Sequence, residues 1–214
     1  MGRWEPNGME RLQEAAMTLF HERGYANVTI ADIAERAGLT KRSFFNHFAD
    51  KREVLFAGAA ELEAEVRRHL DEARDDLAPM DLAVAALTLA GEDLSHYGEF
   101  SSIRRDVIAS ATELQERSLI KLSTLSTAMQ SGLQSRGVDP RTAALVSDAA
   151  VNIFNLAYDS WGEHPTTEFG TLMQQYLSEL REAISPPDLD HPREQRAEKP
   201  MKRRHSLAQT GPQP

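Results

Sequence analysis

The amino-acid sequence predicts an all-α protein, built as a small amino-terminal domain and a larger helical one. Three observations predict it. Apolar residues recur at three-and-four spacing along most of the chain, as one face of a helix requires. The segments so marked start at Thr or Asp capping residues and stop at Gly or Pro. Neither sustained apolar alternation nor an Asn-Gly turn between β-branched runs occurs, so strands and hairpins leave no signal. With 214 residues the chain can bury a core, and with no cysteine it must do so by packing, without disulfides or thiolate metal sites.

The first helix is expected from Met9 to Arg23, where Leu12, Ala15, Ala16, Leu19 and Phe20 share a face and Gly24 supplies a left-handed stop. After a short loop from Tyr25 to Val28, Thr29 caps a second helix whose Ile30, Ile33, Ala34 and Ala37 form one apolar face up to Gly38. Thr40 caps a third, very short helix that reaches about His47, with Phe44 and Phe48 one turn apart. A fourth, beginning at Asp50 with Glu53 three residues on, is expected to run unbroken to about Leu77 and to link the two domains.

Beyond it the pattern predicts helices from Met80 to about Tyr97 and from Ser101 to about Ala111. A long helix follows, opened by a capping box over Thr112-Glu113-Leu114-Gln115 and closed at Gly137. Asp139-Pro140 opens another that reaches Trp161, and Thr166 or Thr167 caps a last one that reaches Ile184. The expected domains are residues 1–49, then 50–184 with its first helix as linker. Residues 185–214 form a basic tail, rich in Pro and Gln and expected to be disordered.

A net charge of −9 argues at first against a nucleic-acid partner. The charge is not evenly spread, however. Met1 to Gly58 holds 8 basic against 8 acidic residues, Ala59 to Leu180 holds 9 against 20, and Arg181 to Pro214 holds 7 against 5. A balanced head is thus joined to an acidic body.

The segment from Thr29 to Lys51, TIADIAERAGLTKRSFFNHFADK, carries the most chemistry. Two helices crossing steeply through a short turn need a small residue where their backbones approach, a residue tolerant of positive φ at the corner, and an apolar anchor into the core. Ala34, Gly38 four positions later and Phe44 six further on meet those needs, which is the helix-turn-helix spacing. The outward face of the short helix then displays Lys41, Arg42, Ser43, Asn46 and His47, donors and acceptors suited to base edges and phosphates. Entering a major groove by its amino-terminal end, it would put Lys41, Arg42 and Ser43 nearest the bases and Lys51 near phosphate. The plainer reading is a solvated helix with ordinary surface charge, but no acidic residue lies between Thr40 and Phe48.

Met9 to Phe56 resembles the DNA-binding domain of the tetracycline-repressor (TetR) family of bacterial regulators. The resemblance rests on the LFHERGY end of the first helix, on TIADIAERAG, and on FFNHFADK at its distance from Gly38. It implies a three-helix helix-turn-helix DNA-binding domain, a linker helix, and a larger helical ligand-binding and dimerisation domain. By position it implies base contacts at Lys41, Arg42, Ser43 and Asn46, and phosphate contacts at Thr29, His47 and Lys51. Thr40, at the head of the short helix, joins the DNA-facing set. Where the family most often has a tyrosine reaching the DNA backbone, this sequence has Phe45, which can pack on sugar or a thymine methyl but donates no hydrogen bond. Arg3-Trp4 admits two readings, an arm along the duplex or a Trp packed on the domain.

The same resemblance implies a ligand pocket among the middle helices, for which Tyr97, Phe100, Val107, Leu125, Met129, Phe154, Asn155 and Tyr158 are the candidates, with Asn152 as a further polar anchor. Such aromatic and Met positions also serve simply as core. It further implies a four-helix bundle across a two-fold axis, formed by the last two helices of each copy. Ala144, Val151, Phe154 and Tyr158 on one, and Phe169, Leu172, Met173, Tyr176, Leu177 and Leu180 on the other, fit either that interface or an intradomain core.

Glu61, Glu65 and His69, and separately Glu92 and His96, have the four-residue spacing of metal ligands, yet no second histidine joins either set and solvated charge explains them. No nucleophile with an adjacent base is legible, so neither catalysis, cofactor nor metal is expected. No apolar run is long enough to span a membrane, and a cytoplasmic protein is expected. The expected partners are double-stranded DNA at a palindromic operator, a second copy of the chain, and an unidentified small-molecule effector. The basic stretch Lys199 to His205 fits either non-specific DNA attraction or a solubilising end. The rival reading is a helical small-molecule carrier or sensor that acts through protein contacts without DNA.

Overall fold

The computed structural model describes residues 8–93, 100–161 and 167–185. Among the described residues the chain is all-α. Helix α1 (Gly8–Arg23) buries Leu12, Ala16, Met17, Leu19 and Phe20 and stops where Gly24 takes φ 78°. A 3-10 turn, Tyr25–Asn27, leads to α2 (Ile30–Arg36). Thr29 caps α2 reciprocally: its Oγ1 accepts from the Asp32 amide at 3.2 Å, while Asp32 accepts the Thr29 amide at 2.8 Å. Helix α3 (Lys41–His47) is capped by Thr40, whose Oγ1 accepts from the Ser43 amide at 3.0 Å.

The linker departs from the expected unbroken helix. After Asp50 the chain makes a 3-10 turn, Glu53–Phe56, becomes extended at Ala57, and takes φ 84° at Gly58 before α4 (Ala59–Glu72) begins. The cause is burial. Val54, Leu55 and Phe56 all turn into the core of the head, which one face of a continuous helix could not achieve, and Gly58 permits the left-handed break. The residue-49 boundary expected from sequence therefore falls inside one apolar cluster, which also takes in Val107 and Leu114 from the larger domain. Nor does α4 reach Leu77. The Arg136 guanidinium donates to the Leu70 and Ala73 carbonyls at 2.8 and 2.9 Å, satisfying the end of α4 near Glu72.

Four helices complete the larger domain after α5 (Pro79–Asp93): α6 (Ser101–Ala109), α7 (Thr112–Ser135), α8 (Pro140–Trp161) and α9 (Phe169–Ile184). The capping box expected at Thr112 does not form. Ala111 is the extended residue before α7, Thr112 is already helical, and the Gln115 side chain donates through Nε2 to the Ala109 carbonyl at 2.9 Å. Leu114, fully buried in the head cluster, sets this register. Asp139 does open α8, accepting the Arg141 and Thr142 amides at 3.1 Å each. Helix α9 starts after Glu168 without a side-chain cap, so Thr167 does not cap it, and Thr166 lies outside the described residues.

A second core joins α4, α5, α7, α8 and α9. Of the last helices' apolar stripes, Val151, Phe154, Phe169, Leu172, Met173 and Leu177 are buried within one copy of the chain, while Ala144, Tyr158, Tyr176 and Leu180 are half-buried. The apolar residues left outside on α8 and α9 are Leu145, Leu156 and Ile184, 74, 44 and 72% exposed. Arg3-Trp4, Lys199–His205 and the remainder of the tail beyond Ser185 lie outside the described residues.

Candidate nucleic-acid interface and ligand cavity

The turn between α2 and α3 is fixed by backbone bonds. The Gly38 amide donates to Glu35 at 2.9 Å and the Leu39 amide to Ala34 at 2.8 Å, the double closure that a left-handed residue after a helix makes possible. Gly38 supplies that residue, with φ 65°. Arg11 of α1 donates to the Ala37 carbonyl, tying the corner to the first helix. Ala34 and Phe44 are both buried, so the small contact and the apolar anchor stand where the spacing placed them.

With Phe44 and Phe48 turned inward, α3 presents Lys41, Arg42, Phe45, Asn46 and His47 to solvent. Phe45 is 56% exposed, a large apolar group on an otherwise polar face. Among the described residues neither Lys41 nor Arg42 is ion-paired. Ser43 is half-buried, and its hydroxyl lies 2.9 Å from that of Thr40. The Thr29 hydroxyl is likewise occupied, donating to Asp32 at 2.6 Å. That bond holds the Asp32 carboxyl below its ordinary pKa.

Lys51 is placed differently from what its position suggests. Its Nζ turns into the head and donates to the Tyr25 and Val28 carbonyls at 2.8 and 2.9 Å, 4.0 Å from the centroid of the Tyr25 ring. Burial lowers its pKa. Burial, reinforced by Glu113, also pushes the Tyr25 hydroxyl up to about 12. Lys51 thus clamps the loop before α2, with two of its three donors committed.

Below the head, a cavity of about 100 Å³ is walled by Phe56, Leu62, Leu122, Leu125, Phe154 and Tyr158. Of the eight ligand candidates, Leu125, Phe154, Asn155 and Tyr158 line it. Three described candidates do not. Phe100 and Val107 pack into the head cluster because α6 lies against α1, and Met129 is fully buried in the second core. Tyr97 lies outside the described residues. Sequence reasoning missed Phe56 and Gly58, brought there by the break in the linker, and two cations, Arg104 and Lys121. A signal for Arg104 did exist, since it shares a helix face with Phe100 and Ile108, a charge on an otherwise apolar stripe.

The cations differ in their bonding. Lys121 Nζ lies 3.1 Å from Glu53, which also accepts from Arg117 Nε at 2.6 Å. Burial would raise the Glu53 pKa, but these two partners hold it below its ordinary value. Arg104 donates through Nε to the Leu55 carbonyl at 2.7 Å, and its guanidinium lies 5.2 Å from the Phe56 ring centroid and 5.7 Å from that of Tyr158. Burial lowers its pKa and raises that of Tyr158.

Of the metal-spaced residues, Glu65 and His69 meet Asp93 rather than Glu61, with ligand atoms within 4.8 Å of one another. The Arg68 guanidinium stands between the two carboxylates, 2.5 Å from Glu65 and 2.7 Å from Asp93, in the place a cation would take. His96 lies outside the described residues.

A three-helix head with a tight, glycine-cornered turn, set on a larger helical domain that encloses a cavity, is a helix-turn-helix architecture. Residues 12–57 match the bacterial regulatory proteins of the tetR family. The chain is 41% identical over 70 residues to a probable HTH-type transcriptional regulator, ArpR, of Pseudomonas putida, and 40% identical over 70 residues to the regulator TtgR of the same species. Each alignment spans 31% of this chain and 33% of the relative, so about a third of each curated relative is matched. The whole fold is similar to that of the fatty acid degradation regulator FadR of Bacillus halodurans, with TM-score 0.56 and 15% identity over 83% of this chain and 96% of that one. It is also similar to SmeT of Stenotrophomonas maltophilia in complex with triclosan, with TM-score 0.55 and 21% identity over 87% and 99% of the two chains. Among the described residues no helix is long and apolar enough to cross a membrane.

Proposed function

We propose that this protein is a sequence-specific DNA-binding transcriptional regulator, a dimeric repressor that releases a palindromic operator when a small molecule enters its cavity. The observation that carries the reading is the outer face of α3, which holds Lys41, Arg42, Asn46 and His47 exposed and free of carboxylates beside a rigid turn. Lys41, Arg42, Ser43 and Asn46 are the proposed base-reading set, with Phe45 against sugar or a thymine methyl. His47 and the amino-terminal ends of α2 and α3 at Thr29 and Thr40 face phosphate. Lys51 acts on this surface by holding the Tyr25–Val28 loop. The working domains are the head through the turn at Phe56, and the helical body from Ala59 onward.

Two heads can occupy successive major grooves only if they stand roughly 34 to 36 Å apart, or a multiple of it. Leu145 and Leu156, three helical turns apart on α8, offer a second copy an apolar contact. Ligand-dependent release follows if filling the cavity alters the bonds that join Glu53 and Leu55 to the body. The reading is tested by selecting fragmented genomic DNA with the purified chain at two salt concentrations. Enrichment of one palindrome at both is expected, whereas binding that is salt-sensitive and blind to sequence would favour a carrier or sensor acting through protein contacts.

A further inference from the structure

We infer that the cavity is built for an amphipathic anion, a molecule whose apolar body fills the space between Phe56, Leu125, Phe154 and Tyr158 and whose single anionic head pairs with Arg104. The inference names the chemical class of the effector and rests on the ligand-responsive reading above.

Arg104 is the reason. A guanidinium carries five N–H donors, and Arg104 spends one of them, at Nε, on the Leu55 carbonyl. Among the described residues no carboxylate forms an ion pair with it. Asp159 is felt only at longer range, and the faces of Phe56 and Tyr158 give weaker support. A half-buried cation in a largely apolar wall is costly to keep unless an opposite charge or acceptors meet its remaining donors. Arginine does not escape that cost by losing its proton. A bound carboxylate or sulfonate would meet two of those donors at once, in the planar geometry the guanidinium favours.

The other charges on the wall fit this assignment. Lys121 is paired with Glu53, which it shares with Arg117, so it is less free to meet an anion than Arg104. Glu63 lines both the cavity and the outer groove between α4 and α7, where Arg67 stands beside it. An anion at Arg104 would also compete for the guanidinium that holds Leu55, the last turn of the head.

The test uses a matched pair of fluorescent probes on the full chain: anilinonaphthalene sulfonate, an amphipathic anion, and phenylnaphthylamine, which has the same rings without the sulfonate. The sulfonate is expected to bind at least about tenfold more tightly than the neutral amine. Arg104→Gln should lose about tenfold or more of the sulfonate affinity while leaving that for the amine within about twofold, and Arg104→Lys should recover part of the loss. Leu62→Trp, which fills the cavity, should weaken both probes. Equal affinity of the two probes for the unaltered chain would overturn the inference without recourse to any variant. So would an equal loss of both on Arg104→Gln, binding untouched by Leu62→Trp, or no binding of either. The genomic selection is scored separately on probe-free protein, so a failure of the anion assignment with an enriched palindrome leaves the regulator reading intact. A failure of selection with anion binding preserved removes the operator and keeps the site.

Discussion

Arg104 and Leu55 are joined across the boundary of the two domains: the arginine Nε, in the wall of the cavity, donates at 2.7 Å to the carbonyl of a residue buried in the head. Close by, Glu53 takes hydrogen bonds from Arg117 and an ion pair from Lys121, both on α7. The chain thus reaches the body through a short turn bonded at both faces, rather than through a free helix. Anything that moves α6 or α7 moves the base of the head.

Glu53→Gln should therefore loosen this junction. The Glu53 pKa is depressed in the folded protein, so its stabilisation is present above the ordinary value of 4.5 and is lost as pH falls through the lower folded value. At neutral pH the substitution should cost about 1 to 2 kcal/mol, a partly exposed charge-assisted pair being worth less than a buried one. Thermal melts from pH 7 down to pH 3 check it: the unaltered chain should lose more stability below about pH 4.5 than Glu53→Gln does. Parallel curves would show that the junction does not depend on this carboxylate.

Gly38→Ala should cost the head about 1 to 2 kcal/mol for placing a side chain at positive φ. The new Cβ would also meet Arg11 Nη2 at 2.8 Å, disturbing the bond from Arg11 to Ala37. Gly137→Ala is the control, with φ 84° and no atom within 4 Å of its Cβ position. In chemical denaturation Gly38→Ala should be the more destabilised of the two, and only it should lower affinity for DNA.

Arg42→Ala should leave stability within about 0.5 kcal/mol, because Arg42 is exposed and unpaired among the described residues. It should weaken operator binding by about 1 to 3 kcal/mol and relax specificity at one position of each half-site if it reads a base. Fluorescence anisotropy on the selected operator and on single-base variants distinguishes this from a phosphate contact, which would weaken every sequence alike.

Leu145→Glu combined with Leu156→Glu should dissociate the proposed dimer without unfolding the chain, since both side chains are exposed on α8. Sedimentation velocity should find a monomer, and binding to the full palindrome should fall by at least about tenfold, with half-site binding retained. An unchanged dimer would place the two-fold contact elsewhere.

What the sequence made legible was local. Thr29, Thr40 and Asp139 cap helices through bonds to residues two or three positions away, and Gly38 closes its turn within five. These needs are written next to one another in the chain, so spacing exposes them. The break at Gly58 was not visible. It arises because Val54, Leu55 and Phe56 are drawn into a core completed by Val107 and Leu114, some fifty residues away. The same long-range packing diverted Phe100 and Val107 from the cavity and brought Phe56 to its wall. The stripes on α8 and α9 showed that something must cover them, but periodicity alone could not say whether the cover was the same chain or a second copy.

The most direct test of the central claim is the affinity of the purified chain for its selected palindrome against a scrambled duplex of equal length, measured across a salt series. A regulator that reads bases through α3 should prefer the palindrome by about a thousandfold or more at physiological salt, with phosphate contacts giving both duplexes a salt dependence. Equal affinities that fall together as salt rises would contradict sequence-specific recognition and leave only a charged helix near a polyanion.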